Sequence, residues 1–172
     1  MKKVNQESSL VTTEEAREIT SVHRDCRDVE WNISRSSKAE NSDRTEQTFT
    51  FLCAPEDEFG MTTKGLIAEG ILTVGKKTKR EKLTLTLWLN DKATRSRDRV
   101  VQIDSRRPLN LKGKQTDKNW PHVHFGKERT TIDERELGAT VDVVKASKIF
   151  EKESNTSFDP GLQDPKRFVL LP

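Results

Sequence analysis

At 172 residues, 34% of them charged and 31% hydrophobic, the chain is long enough for one domain with a terminal arm but holds little material for a large core. No apolar run approaches the roughly 18 residues of a membrane span, and the opening MKKVNQESS has lysines without an apolar stretch behind them, so neither an anchor nor a secretory signal is expected and the default location is the cytoplasm. Two cysteines, Cys26 and Cys53, make no disulfide framework and no zinc spacing, while a net charge of +3 conceals an uneven distribution: residues 76–118 hold fourteen Lys/Arg and five Asp/Glu, residues 1–60 eight and thirteen.

Residues 1–11 read as a flexible lead. Thr12 and Glu15 have capping-box spacing, which predicts a helix start, with Ala16, Ile19, Val22, His23 and Cys26 near one face. Residues 29–34 read as a short strand and 35–45, rich in Ser, Asn and Asp, as a loop. From 48 to 53 the alternation is clean: Phe49, Phe51 and Cys53 face one side, Thr48, Thr50 and Leu52 the other. Residues 65–74 form the next β-like run, in which Gly70 predicts a bulge or a close backbone approach.

Residues 82–90 alternate best of all. Leu83, Leu85, Leu87 and Leu89 point one way and Thr84, Thr86 and Trp88 the other, so a long antiparallel hairpin with the preceding run is expected. In the following strand Val101 and Ile103 take the core face, with Gln102 and Asp104 opposite. Thr131 and Glu134 repeat the capping-box spacing and predict a helix from near Ile132, split or kinked at Gly138. Ala139, Val143, Ala146 and Phe150 share one helical face. Residues 155–164 read as a Gly/Pro loop and 168–171 as a short edge strand. The expected fold is α+β: an antiparallel sheet of five to seven strands with helices at one face. An N-terminal arm and helix, 1–45, would precede a β-rich domain, 46–172.

The chemistry concentrates in residues 99–129. Two strand-like runs, 100–104 and 120–125, flank a connection carrying Arg106, Arg107, Asn110, Lys112, Lys114 and Lys118. Guanidinium groups pair with phosphate through two parallel bonds and lysines add point charge, so Arg106, Arg107, Lys112, Lys114 and Lys118 are the candidate nucleic-acid contacts. Alternation places Trp120, His122 and His124 opposite Val123 and Phe125. Imidazoles two apart on a strand stand about 7 Å apart at Cα, close enough to share a substrate. His122 and His124, with Arg107 and Asn110, are therefore the candidate catalytic set for metal-free acid–base cleavage of RNA, where the 2′-hydroxyl supplies the nucleophile. Asp104 on the neighbouring strand offers a third ligand if the two histidines hold a metal. The plain alternative is a pair of solvent-facing histidines beside a solvated basic loop.

The order FTFLCAP, a Gly-bearing strand, KLTLTLWLN, VVQIDSRRPLN and WPHVHF resembles a loosely defined set of small prokaryotic proteins, some of them toxin-like and others defence-associated. The likeness covers about residues 49–129, with Asp104, Arg107, Asn110, Pro121, His122 and His124 at the motif positions. Leu109 stands where relatives often carry histidine. The resemblance implies a β-rich α+β fold and a prokaryotic or phage protein that binds or cleaves nucleic acid, RNA before DNA. The partner would be that nucleic acid, or a protein such as an antitoxin, with no cofactor and no membrane. The competing expectations are a non-enzymatic protein–protein interaction module or inhibitor, and a metal-dependent hydrolase.

Overall fold

The structure is a computed structural model that describes residues 11–35, 46–75, 80–106, 121–132, 137 and 141–168. Helix α1 (Thr13–Thr20) starts as the sequence predicts. The Glu15 N–H donates to Thr12 Oγ1 at 3.1 Å and the Thr12 N–H donates to Glu15 Oε2 at 2.7 Å. The helix stops earlier than expected because side chains take over its last carbonyls. Thr20 Oγ1 donates to Ala16 O, Ser21 Oγ to Glu18 O, and the buried Arg24 guanidinium to Ile19 O (2.7 Å) and Val22 O (3.1 Å). Val22, His23 and Cys26 are thus not on a helical face. The chain turns into strand β1 (Arg24–Arg27), and Cys26 reaches the core through strand alternation. Its thiol is held above the ordinary range by the hydrogen bond with Cys53 and by burial.

Seven antiparallel strands follow in spatial as well as sequence order: β2 (Asn32–Arg35), β3 (Glu46–Cys53), β4 (Leu66–Gly75), β5 (Glu81–Asp91), β6 (Ser96–Arg106), β7 (His122–Phe125) and β8 (Glu128–Thr131). Thr131 therefore ends a strand. The Ile132 N–H continues outward to Pro121 O, and Leu137, inside the expected helix, is helical. Glu134, Gly138 and Ala139 lie outside the described residues. Helix α2 (Val143–Ser154) is capped by Asp142, whose carboxylate accepts from the Lys145 N–H. It lays Val143, Ala146 and Phe150, all fully buried, over β5 and β6. The stretch expected as a loop after it contains β9 (Thr156–Asp159), which pairs in parallel with β1 as a second, two-stranded sheet. Phe168 follows a 3-10 turn (Pro165–Arg167) and is exposed, and residues 169–171 of the expected edge strand lie outside the described residues. No helix among the described residues is long and apolar enough to cross a membrane.

The apolar face is continuous across the register. Phe49 pairs Leu72, Leu72 pairs Leu83, Leu85 pairs Ile103 and Leu87 pairs Val101, and all of these side chains are buried. An aromatic chain ties this face to the small sheet. Trp31 meets Phe51 edge-on at 4.8 Å, Phe51 meets Phe158 at 5.7 Å, and Phe158 stacks on Phe150 at 5.8 Å. Gly70 sits in regular pairing between Phe51 and Leu85, so no bulge occurs at it. The close approach is made by a ring instead of a backbone: a Cβ there would run into Phe51. Because Trp31 and Phe158 hold that ring, Gly70→Ala is expected to cost about 1–3 kcal/mol in urea unfolding. A loss below about 0.5 kcal/mol would show that the ring gives way.

Candidate functional site

The second face of the seven-stranded sheet is polar. Opposed residues share a face, so the register builds two rows across it. One row runs Ile71, Thr84, Asp104, His122, Thr131. The other runs Glu69, Thr86, Gln102, His124, Arg129. Lys82 and Arg106 pair beyond the first row, and Trp88 and Arg99 beyond the second. Between β4 and β8 the described residues bring five cations to this face, Lys82, Arg97, Arg99, Arg106 and Arg129, against the carboxylates of Glu69 and Asp104.

A bulge in β6 makes this possible. The register steps from Leu87–Val101 to Trp88–Arg99 and leaves Val100 as an extra residue. Val100 and Val101 are both fully buried, and the Gly126 N–H satisfies the Val100 carbonyl at 2.8 Å. Unbroken alternation would have sent Arg99 and Arg97 to the core side with Val101. The extra residue turns them to the polar face, where the Arg97 guanidinium lies 4.3 Å from the centre of the Trp88 ring and donates to Glu69 Oε2 at 2.8 Å. The Trp88 Nε1–H donates to Glu69 Oε1, so indole, guanidinium and carboxylate fix one another.

The histidine pair is real but differs from the expected arrangement. Both imidazoles share the face opposite Val123 and Phe125, and their rings meet edge-on at 4.7 Å. His122 is only 6% exposed, so it is not a solvent-facing histidine. Arg129 Nη2 lies 3.4 Å from its Nδ1. Burial first, then the charges of Arg99, His122 and Arg129, push His124 down to about 4, with Asp104 pulling weakly the other way. Asp104 stands opposite His122 in the register, but its carboxylate faces Arg106, which reaches it at 3.2 and 3.3 Å through two nitrogens, with Lys82 at 3.8 Å. Among the described residues no group of three His, Cys, Asp or Glu is placed to hold a metal, so His122, His124 and Asp104 do not assemble as ligands.

Arg106 is the last residue of β6 and not part of a free loop. Arg107, Asn110, Lys112, Lys114, Lys118 and Trp120 lie outside the described residues. Sequence reasoning missed Lys82, Arg97, Arg99, Arg129 and Trp88. The alternation of β5 pointed Trp88 and the threonines away from the core, and by the same alternation Lys82, but the arginines of β6 needed the bulge. Beside the cations, Glu69, Ile71, Thr73, Lys82, Thr84, Thr86, Trp88 and Gln102 line an open depression of about 280 Å³.

No family model, curated protein or solved structure matches the chain. The face is therefore read from its own chemistry: fixed cations, two ion-paired acids, one anchored indole and an imidazole pair of which His122 is buried and His124 half-buried.

His124 also sets an acid limit on stability. Its folded pKa of about 4 lies below the ordinary histidine value, so the unfolded chain binds more protons between the two. The stability from neutral His124 is complete above about pH 6.5 and drains away as pH falls toward 4. Thermal melts are expected to show Tm declining from pH 7 to pH 5, and less steeply in His124→Gln. An NMR titration should find the His124 ring uncharged at pH 5.

Proposed function

We propose that the polar face of the seven-stranded sheet binds nucleic acid, RNA in preference to DNA, and holds it without cutting it. The observation that carries this reading is the gathering of Lys82, Arg97, Arg99, Arg106 and Arg129 on one side of the sheet, with the acids described among them, Glu69 and Asp104, already paired. Phosphates neutralised by such an array release counterions, which supplies affinity without base readout. Binding is favoured over cleavage by the state of the histidines. General acid–base work at neutral pH calls for groups poised near that pH and within reach of substrate. His124 is held down to about 4 and His122 is buried. The toxin-like or defence-associated setting implied by the resemblance belongs to the same proposal, with RNA in a prokaryotic or phage context as the target.

A separate observation favours a second reading, a protein–protein interaction module. Phe59 and Met61 are 80% and 64% exposed, yet their turn is rigidly built. Asp57 Oδ1 accepts from both of their N–H groups at 2.9 Å, and the Asp57 N–H donates to Met61 O. On that reading Phe59→Ser with Met61→Ser removes concentration-dependent association in sedimentation and leaves RNA affinity unchanged.

Filter binding of RNA at a series of salt concentrations tests the first reading. Log affinity should fall linearly with log salt, and Lys82→Gln and Arg129→Gln should each take about one unit off the slope. RNA recovered from the complexes should be intact, with or without chelator. No binding at low salt would end this reading.

A further inference from the structure

We infer that the ligand of this face is single-stranded, with its bases seated along β5 in the depression beside Trp88 and its phosphates on the flanking cations. This inference rests on the nucleic-acid reading above and adds which form of nucleic acid the face accepts.

The depression is unlike the rest of the face. Its walls are the apolar side chains of Ile71 and Trp88, the hydroxyls of Thr73, Thr84 and Thr86, and the carboxamide of Gln102, with Lys82 and Glu69 as the charged members of the lining. The Gln102 carbonyl oxygen accepts from Arg99 Nη1 at 3.0 Å, which leaves its amide nitrogen as a donor. Glu69 is occupied by Arg97 and by the Trp88 Nε1–H, so the charge within the walls is neutralised where the indole stands. Uncharged, planar, hydrogen-bonding groups suit such a lining, and phosphates do not. Apart from Lys82, which closes one end of the lining, the cations stand around it: Arg106 beyond Lys82, Arg97 at the other end, Arg99 and Arg129 along the β8 side.

The sheet face favours the single strand over the duplex. Reading base edges in a double helix takes a helix or a two-stranded ribbon that enters the groove. The cations here stand on an open sheet face beside a concavity on the protein. Bases reach a concave, aromatic-walled site when they are splayed from a single strand and stacked on a side chain. From Lys82 to Trp88 the strand spans roughly 20 Å, at about 3.4 Å per residue, which is the scale on which a sheet face takes two or three stacked bases. The indole is suited to the task because Arg97 and Glu69 already hold it, so little side-chain freedom is lost on binding.

The test compares three probes by fluorescence anisotropy at low salt: a short single-stranded RNA, the same RNA in duplex with its complement, and heparin, a polyanion without bases. The single strand is expected to bind tighter than the duplex. Trp88→Ala should weaken it roughly 5- to 100-fold and should weaken heparin, which meets only the cations, far less, while Trp88→Phe should retain most of the single-strand affinity. In a W31F/W120F background the single strand should quench the remaining indole emission, which reports on Trp88 without disturbing it. Equal affinity for strand and duplex, or an unquenched indole in the saturated complex, overturns the single-strand inference while heparin binding sustains the polyanion face. Failure of all three probes to bind overturns both.

Discussion

Unbroken alternation through β6 would direct Arg97 and Arg99 into the apolar interior, and the fold avoids this with one extra residue. Val100 lets the strand place two valines side by side in the core and then resume with its arginines on the other side. Burying even one unpaired guanidinium would cost more than a small domain can spare. The same residue thus protects the core and charges the opposite face. The stacked Arg97, the anchored Trp88 and the low-pKa His124 beside Arg99 all depend on that single departure from period two.

Much of the fold was legible because its signals are local. The capping box of Thr12 and Glu15 formed bond for bond, the leucines of β5 face the core, and Val143, Ala146 and Phe150 share the buried stripe of a helix. What failed was either non-local or ambiguous. β1 and β9 pair across more than a hundred residues, and four-residue strands carry no periodicity of their own to announce such a partner. Cys26 fits a helical face and a strand face equally well. The helix was ended by Arg24, a capping interaction that no spacing rule describes. β8 shows no alternation because all four residues are exposed at the sheet edge, so no periodicity announced that strand.

The candidate site was half legible for the same reason. Alternation gave the shared face of His122 and His124 and the position of Asp104 opposite them. It did not give burial, which depends on what stands on the neighbouring strands. Asp104 looked available until Arg106 and Lys82 claimed it, and His122 looked solvent-facing until Arg129 and His124 closed over it. Composition pointed to a basic stretch, whereas the described cations come together from three strands, β5, β6 and β8, through register.

The parallel pair of β1 and β9 has a bearing on how the molecule is made. A ribosome delivers residues 24–27 well before their backbone partners at 156–159. The seven-stranded meander can assemble from neighbours as it appears, while α2 and the Phe158 ring that cover its apolar side arrive after it. Until residues 143–158 emerge, the nascent chain therefore carries a sheet whose apolar side is open. A message interrupted between β8 and Thr156 would release that unfinished sheet, a product suited to chaperones and proteases.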